Sequence, residues 1–214
     1  MSDNYGIVEL IEQNAELKER WESLSESSRQ TFIDVDNKVI VPNMLSDLMF
    51  KGIFDPRYNS EWISGFVSAI LDRKIRIIRS LDKEGFRKSE KSKGVILDLL
   101  VEMEDKSLAN VEVQRKGADM PPTRSVIYSA EMLLNQYAVI EGQKKKEVDY
   151  LSVNRVYSII IMEDSPSGFH EFDSYIHHFS QKSDTGLDLE LLQYYDYVCL
   201  DVFKESQSGG CQVQ

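Results

Sequence analysis

Two acids and an amide stand out in the segment from Gly94 to Lys116, which reads GVILDLLVEMEDKSLANVEVQRK. Asp98 and Glu112 each interrupt an apolar run, and Gln114 follows Glu112 by two residues. The runs have the character of two strands joined by a short turn, which predicts a hairpin with both acids at about the same height on neighbouring strands. Because side chains alternate along a strand, Gln114 is expected on the same face as Glu112.

Two carboxylates on one face repel each other unless a cation lies between them. Mg²⁺ suits such a position, because it takes oxygen ligands from one or two carboxylates and from a substrate phosphate. Gln114 could then orient a water molecule or a phosphate oxygen. The pattern is chemically sufficient for metal-assisted hydrolysis of a phosphodiester. The alternative is that both acids face solvent on half-exposed strands.

Composition narrows the class of protein before any fold is considered. The chain has 214 residues, 42% of them hydrophobic and 29% charged, which suits one soluble domain with a small appendage. Its net charge of -11 argues against broad nonspecific attraction to nucleic acid, so any such role needs a local surface. Neither the two cysteines nor the three histidines have a metal-binding spacing. The acidic N-terminus lacks the features of a signal peptide, and we expect a cytoplasmic protein without a membrane span.

Helical and strand patterns alternate along the chain. The apolar spacing predicts one or two surface helices near the N-terminus, a helix that begins after Ser46 as N-cap, and further helices at 61–74 and 123–143. Strands are predicted at 74–81, 94–104, 108–116 and 155–164, followed by β-rich runs at 174–184 and 192–205. This order favours a mixed α/β or α+β fold, with a central sheet flanked by helices.

Taken together, three sets of residues resemble PD-(D/E)xK nuclease family transposases, which are related to the recombination-promoting nucleases of bacteria. They are Asp98, Glu112 and Gln114, the upstream SDLMFKGIF, and the downstream RSVIYSAEML. The resemblance runs from about Val41 to Glu205. It implies a helical extension at 1–40, a nuclease-like domain at 41–205 and a loose tail at 206–214.

The resemblance also implies a restriction-endonuclease-like core, a mixed four-stranded sheet flanked by helices. Such a protein would be a metal-dependent endodeoxyribonuclease related to transposition or recombination. It would use Mg²⁺, or Mn²⁺ as a substitute, to cut DNA. A homodimer is one expected assembly, because cutting both strands with one-ion sites commonly needs two copies.

Carried over to this chain, the resemblance assigns metal ligands, further catalytic groups and contacts to DNA. The implied metal ligands are the carboxylates of Asp98 and Glu112 and the main-chain carbonyl of Val113. The further catalytic groups are Gln114, in the place of the motif's lysine, and Asp47 in the first core helix. The implied contacts to DNA are Lys51 and Arg124. Gln114 is a departure from the motif, because a neutral amide brings no positive charge beside the attacking water.

Several of these residues have a second interpretation. Asp47 could serve only as a first-turn acid that suits the helix dipole. Arg124 could contact phosphate or pair with an acid of the core, and Tyr128, one turn later, could simply pack in the core. The whole chain could also be a non-catalytic member of the fold that acts as an interaction or regulatory module, which the acidic net charge would suit.

Overall fold

The computed structural model describes residues 6–43, 45–81, 99–143 and 150–208, with the backbone alone at residues 47, 142, 143 and 205–208. The helices of this part are α1 (Ile7–Glu12), α2 (Ala15–Ser23), α3 (Glu26–Asp36), α4 (Asp47–Ile53), α5 (Pro56–Leu71), α6 (Pro122–Gln143) and α7 (Leu200–Ser208). The strands are β1 (Ile77–Ser80), β2 (Leu99–Met103), β3 (Leu108–Lys116), β4 (Val156–Asp164), β5 (Ile176–Ser180) and β6 (Gln193–Cys199). The chain divides into two compact units, Met1–Met49 and Phe50–Gln214. No helix in the described ranges is both long and apolar enough to cross a bilayer.

Residues 6–43 of the first unit contain three short helices, where the sequence predicted one or two. The interruptions follow from local capping. The side chain of Asn14 accepts hydrogen bonds from the main-chain N–H groups of Glu16 and Leu17, and Ser25 accepts one from Ser28. Each cap satisfies amides that a continuing helix would have bonded to the preceding turn, so a new helix starts at each position.

Helix α5 is joined closely to β1, the first strand of the sheet. Asp55 caps α5, Pro56 occupies its first turn, and Asp72, the residue after its last turn, adopts the left-handed conformation. The hydroxyl of Ser68 then accepts a hydrogen bond from the N–H of Ile75 at 2.8 Å, and Ser64 accepts one from Ile77 at 2.9 Å. Two small polar residues therefore fix where the chain enters the sheet.

The six strands of the described region form one mixed sheet in the order β1-β2-β3-β4-β6-β5. Strands β1, β2 and β3 are antiparallel neighbours, β3, β4 and β6 run parallel, and β5 is antiparallel to β6. The predicted mixed α/β class with a central sheet flanked by helices is confirmed. Strand β3 lies between an antiparallel and a parallel partner, and β4 is buried along most of its length, as its apolar sequence predicted.

One face of the sheet packs against α6 and α7, and we call it the α6 face. Its core is a cluster of buried side chains from the strands and both helices. The cluster comprises Leu100, Leu108, Met120, Tyr128, Met132, Val156, Ile160, Met162, Tyr197, Cys199 and Val202. Two fully buried serines of α6 bond tyrosine hydroxyls of β6, Ser125 to Tyr197 at 3.0 Å and Ser129 to Tyr195 at 2.9 Å. These hydrogen bonds fix the height of α6 on the sheet.

The last strand ends earlier than the sequence predicted. The β-rich pattern of LQYYDYVCLDVFKE suggested a strand into residue 205, but β6 stops at Cys199 and α7 begins at Leu200. The change follows from Asp201, whose carboxylate accepts hydrogen bonds from the N–H groups of Val202 and Ser165. An acid in a first helical turn favours the helix, whereas apolar periodicity alone did not separate the two states.

Candidate metal and nucleic-acid site

Glu112 lies on the α6 face of β3, near the middle of the sheet. Residues on this face alternate from Leu108 through Asn110 and Glu112, as a strand requires. Only 2% of Glu112 is exposed to solvent, and its register partner on β4 is the fully buried Ile160. The alternative interpretation, in which Glu112 faces solvent on a half-exposed strand, is therefore wrong.

The carboxylate of Glu112 accepts a hydrogen bond from the side chain two residues earlier on the same strand. The Nδ2 atom of Asn110 donates to Oε1 of Glu112 at 2.9 Å, and Asn110 is itself completely buried. The Oδ1 atom of Asn110 has no hydrogen-bond partner within the described ranges, nor has the hydroxyl of Ser158, the register partner of Asn110 on β4. Sequence reasoning missed Asn110, although the alternation along β3 places it beside Glu112.

Two other buried acids of the described sheet, Glu102 and Asp196, have basic side chains as hydrogen-bond partners. Glu102 on β2 accepts hydrogen bonds from Arg79 at 2.6 Å and from Lys106 at 3.0 Å. Burial opposes ionisation there, but these donors outweigh it and hold the pKa of Glu102 below its ordinary value. At Asp196 on β6, burial dominates and raises the pKa of the carboxyl, despite a hydrogen bond with Nδ1 of His178 at 2.7 Å.

The end of β3 carries the remaining residues of the motif segment. Gln114 is half-buried on the α6 face, next to Met162 of β4, and Val113 is half-buried on the opposite face. Arg115 also lies on the opposite face, where its Nε is 3.7 Å from a carboxylate oxygen of Glu163. Arg115 therefore does not share the face of Gln114. The cation that does share it is Lys116, which is exposed and was missed in the sequence.

Some of the sequence-predicted site residues fall where the structure gives no side-chain geometry. Asp98 lies outside the described residues, as do the lysine-rich segments at 87–93 and 144–146, which the sequence offers as places of local positive charge. The backbone of Asp47 forms the first turn of α4, but its side chain is outside the described part. Of the predicted metal site, the structure therefore describes the side chains on β3. The placing of Asp98 and Asp47 beside Glu112 stays a prediction.

The two predicted contacts to DNA lie on helices. Lys51 is half-buried in the last turn of α4, where a positive charge suits the helix dipole. Arg124 lies in the first turn of α6, where its Nε donates to the hydroxyl of Tyr128 at 2.6 Å and its Nη1 to the carbonyl of Asp119 at 3.3 Å. The guanidinium also lies 5.2 Å from the centre of the Tyr128 ring. Tyr128 is a core residue, as one of the two interpretations predicted, and it holds Arg124 in place.

A serine, a histidine and an aspartate also meet at the end of β4, but not in the arrangement of a catalytic triad. The hydroxyl of Ser165 lies 2.9 Å from Oδ1 of Asp201 and 3.1 Å from Nε2 of His170. That same nitrogen lies 3.1 Å from Oδ2 of Asp201, whereas a triad needs the two ring nitrogens to face different partners. Burial opposes ionisation of Asp201, but the hydrogen bonds from Ser165 outweigh it and lower the pKa. The cluster fixes the start of α7.

The donor atoms on β3 suit a hard divalent cation. Glu112 supplies a buried carboxylate and Val113 a main-chain carbonyl, and such oxygen ligands are those that Mg²⁺ and Mn²⁺ take. Within the described ranges, no group of three or more His, Cys, Asp or Glu side chains is placed to hold a metal ion. The described ligands thus fit the ion chemically, and Asp98 would be the second acid.

Comparison with known proteins identifies the family. The model of the PD-(D/E)XK nuclease family transposases matches residues 44–209 of the 214, which includes every predicted site residue. No significant match is found among curated proteins or among solved structures. The match covers most of the chain, and the mixed sheet flanked by helices agrees with the nuclease fold. The chain belongs to the PD-(D/E)XK nuclease family transposases.

Proposed function

We propose that this protein is a Mg²⁺-dependent DNA endonuclease that hydrolyses phosphodiester bonds in a reaction related to transposition or recombination. The observation that carries the proposal is Glu112, an acid buried to 2% exposure on a central strand, at the position that the resemblance assigns to the second acid of the motif. Burying an ionised carboxylate is costly, and a bound divalent ion would contribute an attraction that offsets that cost. Family membership supports a nuclease that acts on DNA, and these nucleases generally use divalent metal ions.

The proposed second ligand is Asp98, one residue before β2. The antiparallel register of β2 and β3 is described as far as the pair Leu99 and Val111. If that register ran one residue further, Asp98 would be opposite Glu112, and both side chains would point to the α6 face. The main-chain carbonyl of Val113 is proposed as the third ligand, and Asp47 as an additional acid of the site.

Each proposed site residue has one task in this mechanism. A bound ion would stabilise negative charge on the phosphodiester and lower the pKa of a bound water molecule. Glu112 and Asp98 hold that ion, while Gln114 orients the attacking water by accepting its hydrogen bond, or donates to a phosphate oxygen. Because an amide takes up no proton at neutral pH, Gln114 acts by orientation and not as a general base.

DNA is proposed to approach the end of β3, since an acidic chain needs local positive charge there. Lys116 is four residues beyond Glu112, which corresponds to about 13 Å along a strand. Arg124 is held by Tyr128 in the first turn of α6, directly after β3 in the chain. Together with Lys51, these cations would contact backbone phosphates, which carry most of the affinity of nonspecific DNA binding.

Cleavage of supercoiled plasmid tests the proposal. We expect nicking by the wild-type chain with Mg²⁺ or Mn²⁺, none with EDTA, and none by Asp98→Ala or Glu112→Ala. Glu104→Ala is the matched control, because Glu104 is an exposed acid of the same hairpin, paired only with Arg76 at 3.4 Å among the described residues. Failure of the wild type to cleave under either metal, together with no metal binding, would favour a non-catalytic interaction module, which the net charge of -11 would suit.

A further inference from the structure

The amide of Asn110 can face Glu112 in only one orientation. A carboxylate accepts hydrogen bonds, so the NH₂ group and not the carbonyl of the amide must point at Oε1, as the 2.9 Å contact shows. The carbonyl oxygen Oδ1 then points elsewhere, and it has no hydrogen-bond partner within the described ranges. Asn110 is fully buried, so bulk water does not satisfy that oxygen.

Such an arrangement is unfavourable for stability alone. A buried acceptor without a partner is costly, and an apolar side chain of the same shape would avoid the cost. The hydroxyl of Ser158, next to Asn110 in the register, is likewise buried and without a partner in the described residues. Because the one described hydrogen bond of the Asn110 side chain is to Glu112, the benefit of Asn110 lies in what it does to that carboxylate.

We propose that Asn110 is a positioning residue, which holds the carboxylate of Glu112 in the orientation that binds the divalent ion. The inference rests on the proposed function, since it assigns a role toward the same ion. The Nδ2–H bond to Oε1 fixes rotation about the last torsion of Glu112, which is otherwise broad, and so directs the second oxygen of the carboxylate. Partners that orient a metal ligand in this way typically change metal affinity or activity by about 10- to 100-fold when removed.

The experiment measures Mn²⁺ binding by calorimetry in the full-length chain, without DNA. Asn110→Leu keeps the branched shape of the side chain but cannot donate, and Asn110→Ala is a second variant in case leucine disturbs packing. The matched control is Ser158→Ala, which removes a similarly buried polar group that makes no hydrogen bond to Glu112. Thermal unfolding of each variant shows whether the fold is kept.

We expect the dissociation constant for Mn²⁺ to rise about 10- to 100-fold in Asn110→Leu and Asn110→Ala, with Ser158→Ala like the wild type. In cleavage assays, the Mg²⁺ concentration for half-maximal rate should rise while the KM for DNA is unchanged. Unchanged Mn²⁺ affinity in both Asn110 variants would overturn the inference, as would an equal loss in Ser158→Ala. A wild-type chain that binds no Mn²⁺ would overturn the proposed function as well, so the two failures are distinguishable.

Discussion

Gly117, directly after β3, is predicted to be the glycine whose replacement costs the most stability among those described. A Cβ atom placed there would lie 2.5 Å from Sδ of Met162, 2.7 Å from Cδ of Pro166 and 3.2 Å from the carbonyl oxygen of Asp164. Carbon atoms pack most favourably at separations of about 3.5–4.0 Å, so all three distances are too short. Met162 is packed in the buried core, and the Pro166 ring and the main-chain carbonyl can move only with the backbone.

We expect Gly117→Ala to cost about 2 kcal/mol, in the usual range for overpacking a buried position. For a chain of this size, that lowers the midpoint of thermal unfolding by about 4–8 °C. Gly65→Ala is the matched control. Gly65 lies inside α5 with nothing within 4 Å of its added Cβ, so alanine should stabilise the helix by about 0.5–1 kcal/mol. Circular dichroism melts of both variants check the argument, which fails if Gly117→Ala unfolds at the wild-type temperature.

Two further predictions concern the dependence of stability on pH. The hydrogen bonds that Glu102 accepts from Arg79 and Lys106 lower its pKa. The ionised carboxylate therefore stabilises the fold above the ordinary pKa of 4.5, and this stabilisation is lost as the pH falls through the lower pKa of the folded state. Urea titrations of Glu102→Gln should therefore show a smaller loss of stability on acidification, and an unchanged slope would refute this assignment. Asp196 changes stability with pH in the opposite direction, because burial raises its pKa above the ordinary value of 3.8. The protonated carboxyl group stabilises the fold at low pH, and this stabilisation is lost as the pH rises through the raised pKa. Asp196→Asn, whose amide oxygen can still accept from His178, should be more stable than the wild type at pH 7 but not at pH 3, and equal stability at pH 7 would contradict it.

The spacing of apolar residues in the sequence was enough to predict the strand that carries Glu112 and Gln114 and the elements beside it. The run from Leu108 to Lys116 is a strand with the predicted bounds, and its alternation places Glu112 and Gln114 on one face. The turn before it, the long helix after it and the apolar β4 were predicted for the same reason, since each has a clear period or a buried composition. The homodimer remains a prediction, because the structure contains one chain.

The depth of burial of Glu112 could not be predicted in this way. Its 2% exposure depends on neighbours that are distant in the chain, such as Ile160, its fully buried register partner on β4. The bond from Asn110 had a sequence signal, a polar residue two positions before the acid. However, asparagine is also found at bulges and on edge strands. The hydrogen bond from Asn110 to Glu112 was therefore clear only once the structure gave the position of β3 in the sheet.

The most direct test of the central claim is whether Glu112 binds the divalent ion. Calorimetric titration of Mn²⁺ into the wild-type chain and into Glu112→Gln, in the absence of DNA, separates metal binding from catalysis. Glutamine keeps the size of the side chain and an acceptor oxygen but removes the charge. We predict saturable binding by the wild type and its loss in Glu112→Gln, with both chains unfolding cooperatively. Equal Mn²⁺ binding by the two folded chains would contradict the assignment of Glu112 as a metal ligand.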